Sequence, residues 1–338
     1  MKLRTLGRAP LALAYRFGLA GAARRDNGCA RILMLHGVPR RHAGLLQSVL
    51  RYVRRYFDVV PLSHLLADNM RLGKRLAITF DDGLRNNVTV AYPILKALEL
   101  PATFFVCPGL IGSGAWLWNH EARQRLKHCP PGVRRELAGT EDVEAIVERM
   151  KRLDLASRRA LEQQIRDASP RFAPSEQERH ELDLAGWSEL ESLDPALVTL
   201  GAHTLTHPIL PSLDAFQVEK EIAGSRQSLE ERLQRTVDLF AYPNGDVDAR
   251  SLDCVRRHYR GAVTVEEGAM LPGSDPHLLP RINVPSGMLR FALAVHRDHF
   301  FVTPTSQSGS QVASSGNTVM MARHSTIMKK NGSEARAT

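Results

Sequence analysis

The chain has 338 residues, 43% of them apolar, enough to bury one large core or two ordinary ones and too much for a disordered or fibrous chain. Its formal charge of +9 suits an anionic partner, but the basic residues fall in short groups such as Arg24-Arg25, Arg54-Arg55 and Arg158-Arg159, with no nucleic-acid motif beside them. No nucleic-acid partner is expected. The four cysteines, Cys29, Cys107, Cys129 and Cys254, lie far apart without a CxxC pair, so neither a structural zinc nor a disulfide framework is indicated.

Residues 1–30 form an N-terminal segment. Lys2, Arg4 and Arg8 precede Leu11-Ala12-Leu13-Ala14-Tyr15 as in a signal peptide, but Arg16 interrupts the apolar stretch and Arg24-Arg25 follows, so a secretory signal is not expected. No run reaches the roughly 18 apolar residues of a membrane span. With Leu11, Tyr15 and Leu19 on one side and Arg8 and Arg16 elsewhere, the segment has the pattern of an amphipathic helix lying on a membrane. The expected location is the cytoplasm, with peripheral contact at the inner face of the membrane.

Arg31 to Gly37 is an apolar run that ends in His36; a lone histidine in that position is more often structural. Leu45 to Phe57 has helical spacing, with Leu46, Val49, Leu50, Val53 and Phe57 on one side. Leu76-Ala77-Ile78 and Phe80 mark a short buried strand that ends in Asp81-Asp82-Gly83. Carboxylates at the carboxyl end of such a strand stand where ligands bind in α/β proteins, but Asp and Gly also favour a solvated turn, and alone the pair decides neither. Asn87 to Leu100 has the pattern of a helix with an early Pro93, and Pro101 to Cys107 that of a strand in which Cys107 is a small buried hydrophobe. This alternation predicts parallel strands with right-handed crossovers.

Between Gly112 and Gly186 the pattern changes to charged helical stretches, Glu141 to Leu153 and Ser157 to Ala168, interrupted by prolines at 130, 131, 170 and 174. A helical insertion over about 113–186 is expected. Trp116 and Trp118 could stack on a sugar or an acyl chain, although aromatics that anchor an insertion are commoner. The alternation then resumes with a helix over Trp187 to Leu193 and a strand over Ala196 to Leu200, which leads into His203-Thr204-Leu205-Thr206-His207. Two histidines four apart share one side of a helical turn, and Asp82, His203 and His207 would make a three-ligand metal site with an open position for water. A helix from Asp214 to Leu233, a strand from Val237 to Tyr242 ending in Pro243-Asn244-Gly245, a helix from Asp248 to Tyr259 and a strand from Gly261 to Val265 follow. Such repetition predicts a closed or nearly closed barrel. Residues 303–338, rich in Ser, Gly, Asn and Thr, are expected to be a flexible tail.

TFDDG at 79–83, HTLTH at 203–207 and AYPNG at 241–245, in this order, resemble the first three motifs of the polysaccharide deacetylase family, the NodB-like carbohydrate esterases. The resemblance implies an α/β fold, a distorted (β/α)7 barrel, spanning a domain of about 31–302 with the helical insertion inside it. It also implies removal of an N-acyl group from an amino sugar. Asp81 then matches the catalytic base, Asp82, His203 and His207 the ligands of a divalent metal, for which Zn2+ is expected, and the backbone N–H of Asn244 a donor to the oxyanion.

Two departures from the family's pattern stand out. Phe240-Ala241 occupies the place of an arginine that orients the base, and Leu279 to Val284 lacks the late histidine that serves as general acid. A variant arrangement in the family carries that histidine on a strand before the first motif, which Met34-Leu35-His36 fits, so His36 is the candidate general acid. Arg281 is the candidate for orienting Asp81; an ordinary structural ion pair is the equal alternative. The expected function is metal-dependent hydrolysis of an N-acetyl group from an amino sugar in a surface polysaccharide or its lipid-linked precursor. Deformylation of a lipid-linked sugar and a catalytically impaired glycan-binding barrel are the alternatives.

Overall fold

The computed structural model describes residues 28–296; the expectations for most of the N-terminal segment and for the tail at 303–338 lie outside them. The described residues form eight strands: β1 Arg31–Leu35, β2 Asp58–Val59, β3 Arg75–Phe80, β4 Ala102–Val106, β5 Val198–Ala202, β6 Leu239–Ala241, β7 Gly261–Glu267 and β8 Leu279–Asn283. All of them except β2 close a ring of seven parallel strands in the order β1, β3, β4, β5, β6, β7, β8, and β8 returns to β1. The closing register pairs Arg31 with Leu76 through Leu35 with Phe80 on one side of β1, and Leu33 with Ile282 on the other. β2 only pairs with the beginning of β3, Asp58 with Arg75. This is a distorted (β/α)7 barrel.

The alternation of strand side chains sorts the core into two layers. Ile32, Ala77, Phe105, Leu239, Ala241 and Val263 belong to a smaller cluster inside the ring. Leu33, Ile78, Phe80, Phe104, Val106, Leu200 and Phe240 belong to the large cluster beneath the outer helices. Helix Ala43–Tyr56 presents Leu46, Val49, Leu50 and Val53 to that outer layer, the apolar side legible in its sequence. Helices Ala215–Leu233 and Ala249–His258 start at Asp214 and Asp248, whose carboxylates accept from the backbone N–H of Gln217 and Ser251 and so cap the first turns.

Three local features differ from the sequence-based expectation. The helix expected over 87–100 opens with a wide turn, Asn87–Ala91, in which the N–H of Tyr92 reaches back five residues to the Asn87 carbonyl; the regular helix is Tyr92–Leu98. Pro93 has no N–H to give, so the usual ladder cannot run through it and the turn ahead of it widens. Secondly, Leu279–Asn283, read from sequence only for its motif residue, is a strand and closes the barrel. Thirdly, residues 203–207 do not form a helical turn: Thr204 and His207 have φ of 64° and 60°.

Between β4 and β5 the chain forms helices Trp118–His128, Pro131–Ala138, Val143–Met150, Leu155–Asp167 and Glu176–Leu182. The first four share a core of their own, with Trp118, Leu126, Ala138, Ile146, Val147, Met150, Leu161 and Ile165, to which Ile209 from the barrel side is added. Asp142, Asp154 and Ser175 cap three of these helices. Both tryptophans act as anchors: Trp118 Nε1 donates to the His207 carbonyl at 3.0 Å and its ring lies under the Arg158 guanidinium, while Trp116 Nε1 donates to Asp183 Oδ1 at 2.7 Å. Both are buried, which leaves them little surface on which to stack a sugar.

Candidate active site

The carboxyl ends of β1, β3, β5 and β6 meet at one mouth of the barrel, and they carry His36, Asp81-Asp82, His203-His207 and Tyr242 to Gly245. On β3, Ala77 and Thr79 point inward, and Asp81 continues their row. Asp82 would then point outward, but its φ of 74° breaks the alternation, so both carboxylates face the mouth. Gly83 follows at φ 68°, where a Cβ would meet the Val106 side chain at 3.1 Å. The turn is pinned from the far end of the inserted helices, since the Gly83 carbonyl accepts from Ala185 N and the N–H of Arg85 donates to the Asp183 carbonyl.

Asp81 is gripped by one side chain. Arg281, fully buried on β8, donates through Nη1 to Oδ1 at 2.8 Å and through Nη2 to Oδ2 at 2.6 Å. Two further bonds hold the guanidinium, from Nε to the Thr264 carbonyl at 2.6 Å and from Nη1 to Thr79 Oγ1 at 3.0 Å, and that hydroxyl donates to the Leu33 carbonyl. The fork is thereby fixed in the plane of the carboxylate. Burial alone would raise the Asp81 carboxyl, but the Arg281 guanidinium outweighs it and holds the group well below the usual carboxylate range. His36 Nε2 lies 4.0 Å from Asp81 Oδ2, and its ring is half exposed at the mouth.

Asp82 has no such partner. Oδ1 faces His203 Nε2 at 3.7 Å and His207 Nε2 at 3.5 Å. The three donor atoms lie within 4.8 Å of one another, and all three residues are buried. Tetrahedral ligands about 2.0 Å from a zinc ion stand about 3.3 Å apart, so the spacing is that of a site around an ion rather than of direct hydrogen bonds. The tautomer agrees. His203 Nδ1 lies 2.7 Å from the Ala241 carbonyl, which can only accept, so Nδ1 carries the proton and Nε2 turns a lone pair toward Asp82. Burial lowers both histidines, His207 to about 3 with the help of neighbouring His203, so both rings are neutral ligands at ordinary pH. Buried His207 Nδ1 has no partner among the described residues.

The loop that carries the histidines is braced without helical hydrogen bonds. Thr206 donates through N and Oγ1 to the two oxygens of Glu221, His207 N donates to Thr204 Oγ1, and Cys107 Sγ donates to the His203 carbonyl. The left-handed φ values at Thr204 and His207, not a shared helical side, bring the two rings to 4.8 Å. Asn244 also has a left-handed φ, 57°, in the turn Pro243–Gly245, and its side chain donates to Asp246 Oδ2. No hydrogen bond among the described residues ties Asn244 to the carboxylates or histidines of the mouth.

One residue that sequence reasoning missed belongs to this group. His120, from the first inserted helix, brings Nε2 to 3.9 Å from Asp82 Oδ2, the oxygen turned away from His203 and His207. Burial pushes its pKa down to about 4, and its Nδ1 has no partner among the described residues. The only sequence signal was the neighbouring Trp118, whose anchor to the His207 carbonyl fixes the helix start.

A model of the polysaccharide deacetylase family matches residues 69–260. A Bacillus subtilis (strain 168) protein described as "Putative polysaccharide deacetylase YxkH" is 20% identical over 216 residues, 64% of this chain and 53% of that protein, so the chain spans about half the length of this curated relative. Among solved structures, BC0361, a polysaccharide deacetylase from Bacillus cereus, superposes with a TM-score of 0.54 at 16% identity, covering 79% of this chain and 69% of that one. The Streptococcus pyogenes deacetylase PplD in complex with acetate gives 0.54 at 18% identity, with 79% and 98% covered. IcaB from Ammonifex degensii gives 0.53 at 18% identity, with 80% and 98% covered. At these identities the structures share the fold.

Proposed function

The chain belongs to the polysaccharide deacetylase family, and from that premise we propose that it hydrolyses the N-acetyl group of an amino sugar in a surface polysaccharide or its lipid-linked precursor, using a divalent metal such as Zn2+. The observation that carries the reading is the division of labour at the end of β3. Asp81 is paired with Arg281 through both its oxygens, while Asp82 faces two neutral imidazoles across a gap of ion size.

Asp82, His203 and His207 are the proposed ligands, and their donor set of one carboxylate and two imidazoles suits zinc with a position left for water. When bound, the ion supplies an acidified water and a polarised carbonyl. Asp81, kept ionised by Arg281, acts as the base that takes the water proton, and the rigid fork fixes its oxygens in one orientation. Half-exposed His36 acts as the general acid for the departing amine, from the side of the mouth open to a glycan. The side chain of Asn244 is engaged with Asp246, so only its backbone N–H is assigned to the oxyanion.

The alternative of an impaired glycan-binding barrel was motivated by the missing motif arginine. Arg281 brings a guanidinium to Asp81 from another strand, which removes that motive. The test is acetate release from N-acetylglucosamine oligomers and from lipid-linked N-acetylated amino sugars, with and without chelator, alongside formate release from N-formylated counterparts. Acetate release that stops with chelator and returns with Zn2+ is expected. Release of formate alone, or of no acyl group from any substrate by the zinc-loaded chain, contradicts the proposal. Cytoplasmic action at the inner membrane face is part of the proposal, and full-length protein that fails to float with anionic vesicles removes the membrane contact.

A further inference from the structure

Away from the barrel mouth, two outer helices bring together a second group of metal-type donors. Cys254 and His258 stand four residues apart on Ala249–His258 and so share one side of that helix. Glu219, in the first turns of Ala215–Leu233, faces them. Cys254 Sγ donates to Glu219 Oε2 at 3.2 Å, and His258 Nε2 lies 2.6 Å from Glu219 Oε1. The sulfur, nitrogen and oxygen all lie within 4.8 Å of one another. Cys254 is 2% exposed, whereas the side chains of Glu219 and His258 are 44% and 28% exposed, so the group is rooted in the core and open to solvent on one side.

A helix-to-helix ion pair would need only the glutamate and a cation, and Arg257 Nη2 already provides one, at 2.5 Å from Glu219 Oε2. Such a pair does not require the buried thiol, which completes a thiolate, imidazole and carboxylate set of the kind zinc and its thiophilic relatives take, and magnesium and calcium do not. Arg257 then acts as the outer partner that holds the ligating carboxylate in place.

We propose that Glu219, Cys254 and His258 form a second divalent-metal site, for Zn2+ or a similarly thiophilic ion, independent of Asp82, His203 and His207. Binding releases the Cys254 thiol proton to solvent and forms the metal–sulfur bond in its place. The hydrogen bonds from Cys254 and His258 to Glu219 are exchanged for metal bonds, and the Nε2 proton of His258 is given up to solvent while Nδ1 holds the ring's remaining proton, taken from solvent where the ring was neutral. The pair at 2.6 Å must open toward the roughly 3.3 Å expected between tetrahedral ligands, which a small outward rotation of the partly exposed His258 ring achieves. The site would tie the crossover helix after β5 to the one after β6.

The test is Co2+ titration of the chelator-stripped full-length chain, read by metal stoichiometry and near-ultraviolet absorption. Two ions per chain and a thiolate-to-cobalt charge-transfer band are expected; the nitrogen and oxygen donors of Asp82, His203 and His207 give no such band. Cys254→Ser should bind one ion without the band, and Asp82→Asn should lose one ion and keep it. His258→Gln, at a partly exposed position that tolerates a polar side chain, should weaken the band-forming ion at least about tenfold, by loss of one of three ligands. A wild-type chain that takes up Co2+ without the band overturns the assignment, as does a band that survives Cys254→Ser or an undiminished affinity in His258→Gln.

Discussion

On the side of the barrel mouth that faces β8, Asp81 meets a guanidinium held by four hydrogen bonds. On the side that faces β5, Asp82 meets imidazoles standing 3.5 to 3.7 Å off. Both carboxylates come from one turn and both are buried. Their different neighbours therefore set their chemistry: a carboxylate whose charge already meets a guanidinium is a poor ligand for a cation and keeps its remaining lone pairs for a proton, while one that faces only neutral rings across an ion-sized gap is free to hold an ion. Adjacent identical residues take different work because one backbone φ turns them toward different walls of the same cavity.

That contrast can be broken from either side. The largest effect is expected at the ligand side: His203→Ala should lose the ion from the barrel mouth and reduce acyl release by about a thousandfold or more, measured together by metal analysis and turnover. On the Asp81 side, Arg281→Met leaves a buried carboxylate unpaired, which typically costs about 3–5 kcal/mol and should lower Tm by about 6–15 °C. Its pH dependence has a definite sign. The folded-state pKa of Asp81 lies below the unfolded value of about 3.9, so the pair's contribution is complete above about pH 4 and is lost as pH falls through the folded pKa. Without Arg281, burial raises the Asp81 pKa above the unfolded value, so the gap in Tm between wild type and variant should begin to narrow above about pH 4 and go on closing as pH falls toward the wild-type folded pKa, as calorimetry over a pH series would show.

Smaller effects test the surroundings of the pair. His36→Ala should lower kcat about a hundredfold with the ion retained, and an acyl substrate with a better leaving group should restore much of the loss. His120→Ala should weaken the ion at the mouth about tenfold, because His120 stands by the Asp82 oxygen that the two ligand histidines leave free. Isothermal titration with Zn2+ would detect the change, and unchanged affinity would make His120 a packing residue.

What was legible in the sequence followed contiguity. TFDDG, HTLTH and AYPNG each end a strand, so parallel topology gathers them at one mouth whatever the details of the loops. Arg281 was legible as a candidate only, because whether its side chain points inward depends on the register of β8 against β7, where Arg281 pairs with Glu267 beyond an irregularity. The helical turn expected at 203–207 was wrong because the spacing of two histidines carries no information on the sign of φ at Thr204 and His207. His120 was out of reach, since it comes to Asp82 on an inserted helix whose docking depends on the Trp118 contact with His207. Cys254 and His258 were out of reach in another way: their spacing was visible, but Glu219, the residue that faces them, lies on a different helix 35 positions before Cys254.

The most direct test of the division between the two carboxylates is a paired substitution, Asp81→Asn against Asp82→Asn, made in the Cys254→Ser background so that only the barrel mouth is read. Zn2+ binding and acetate release would be measured on the same preparations. Asp81→Asn should keep the ion and lose turnover by at least about a hundredfold, while Asp82→Asn should lose both. An Asp81→Asn chain that loses the ion as Asp82→Asn does, or that keeps its turnover, would contradict that division.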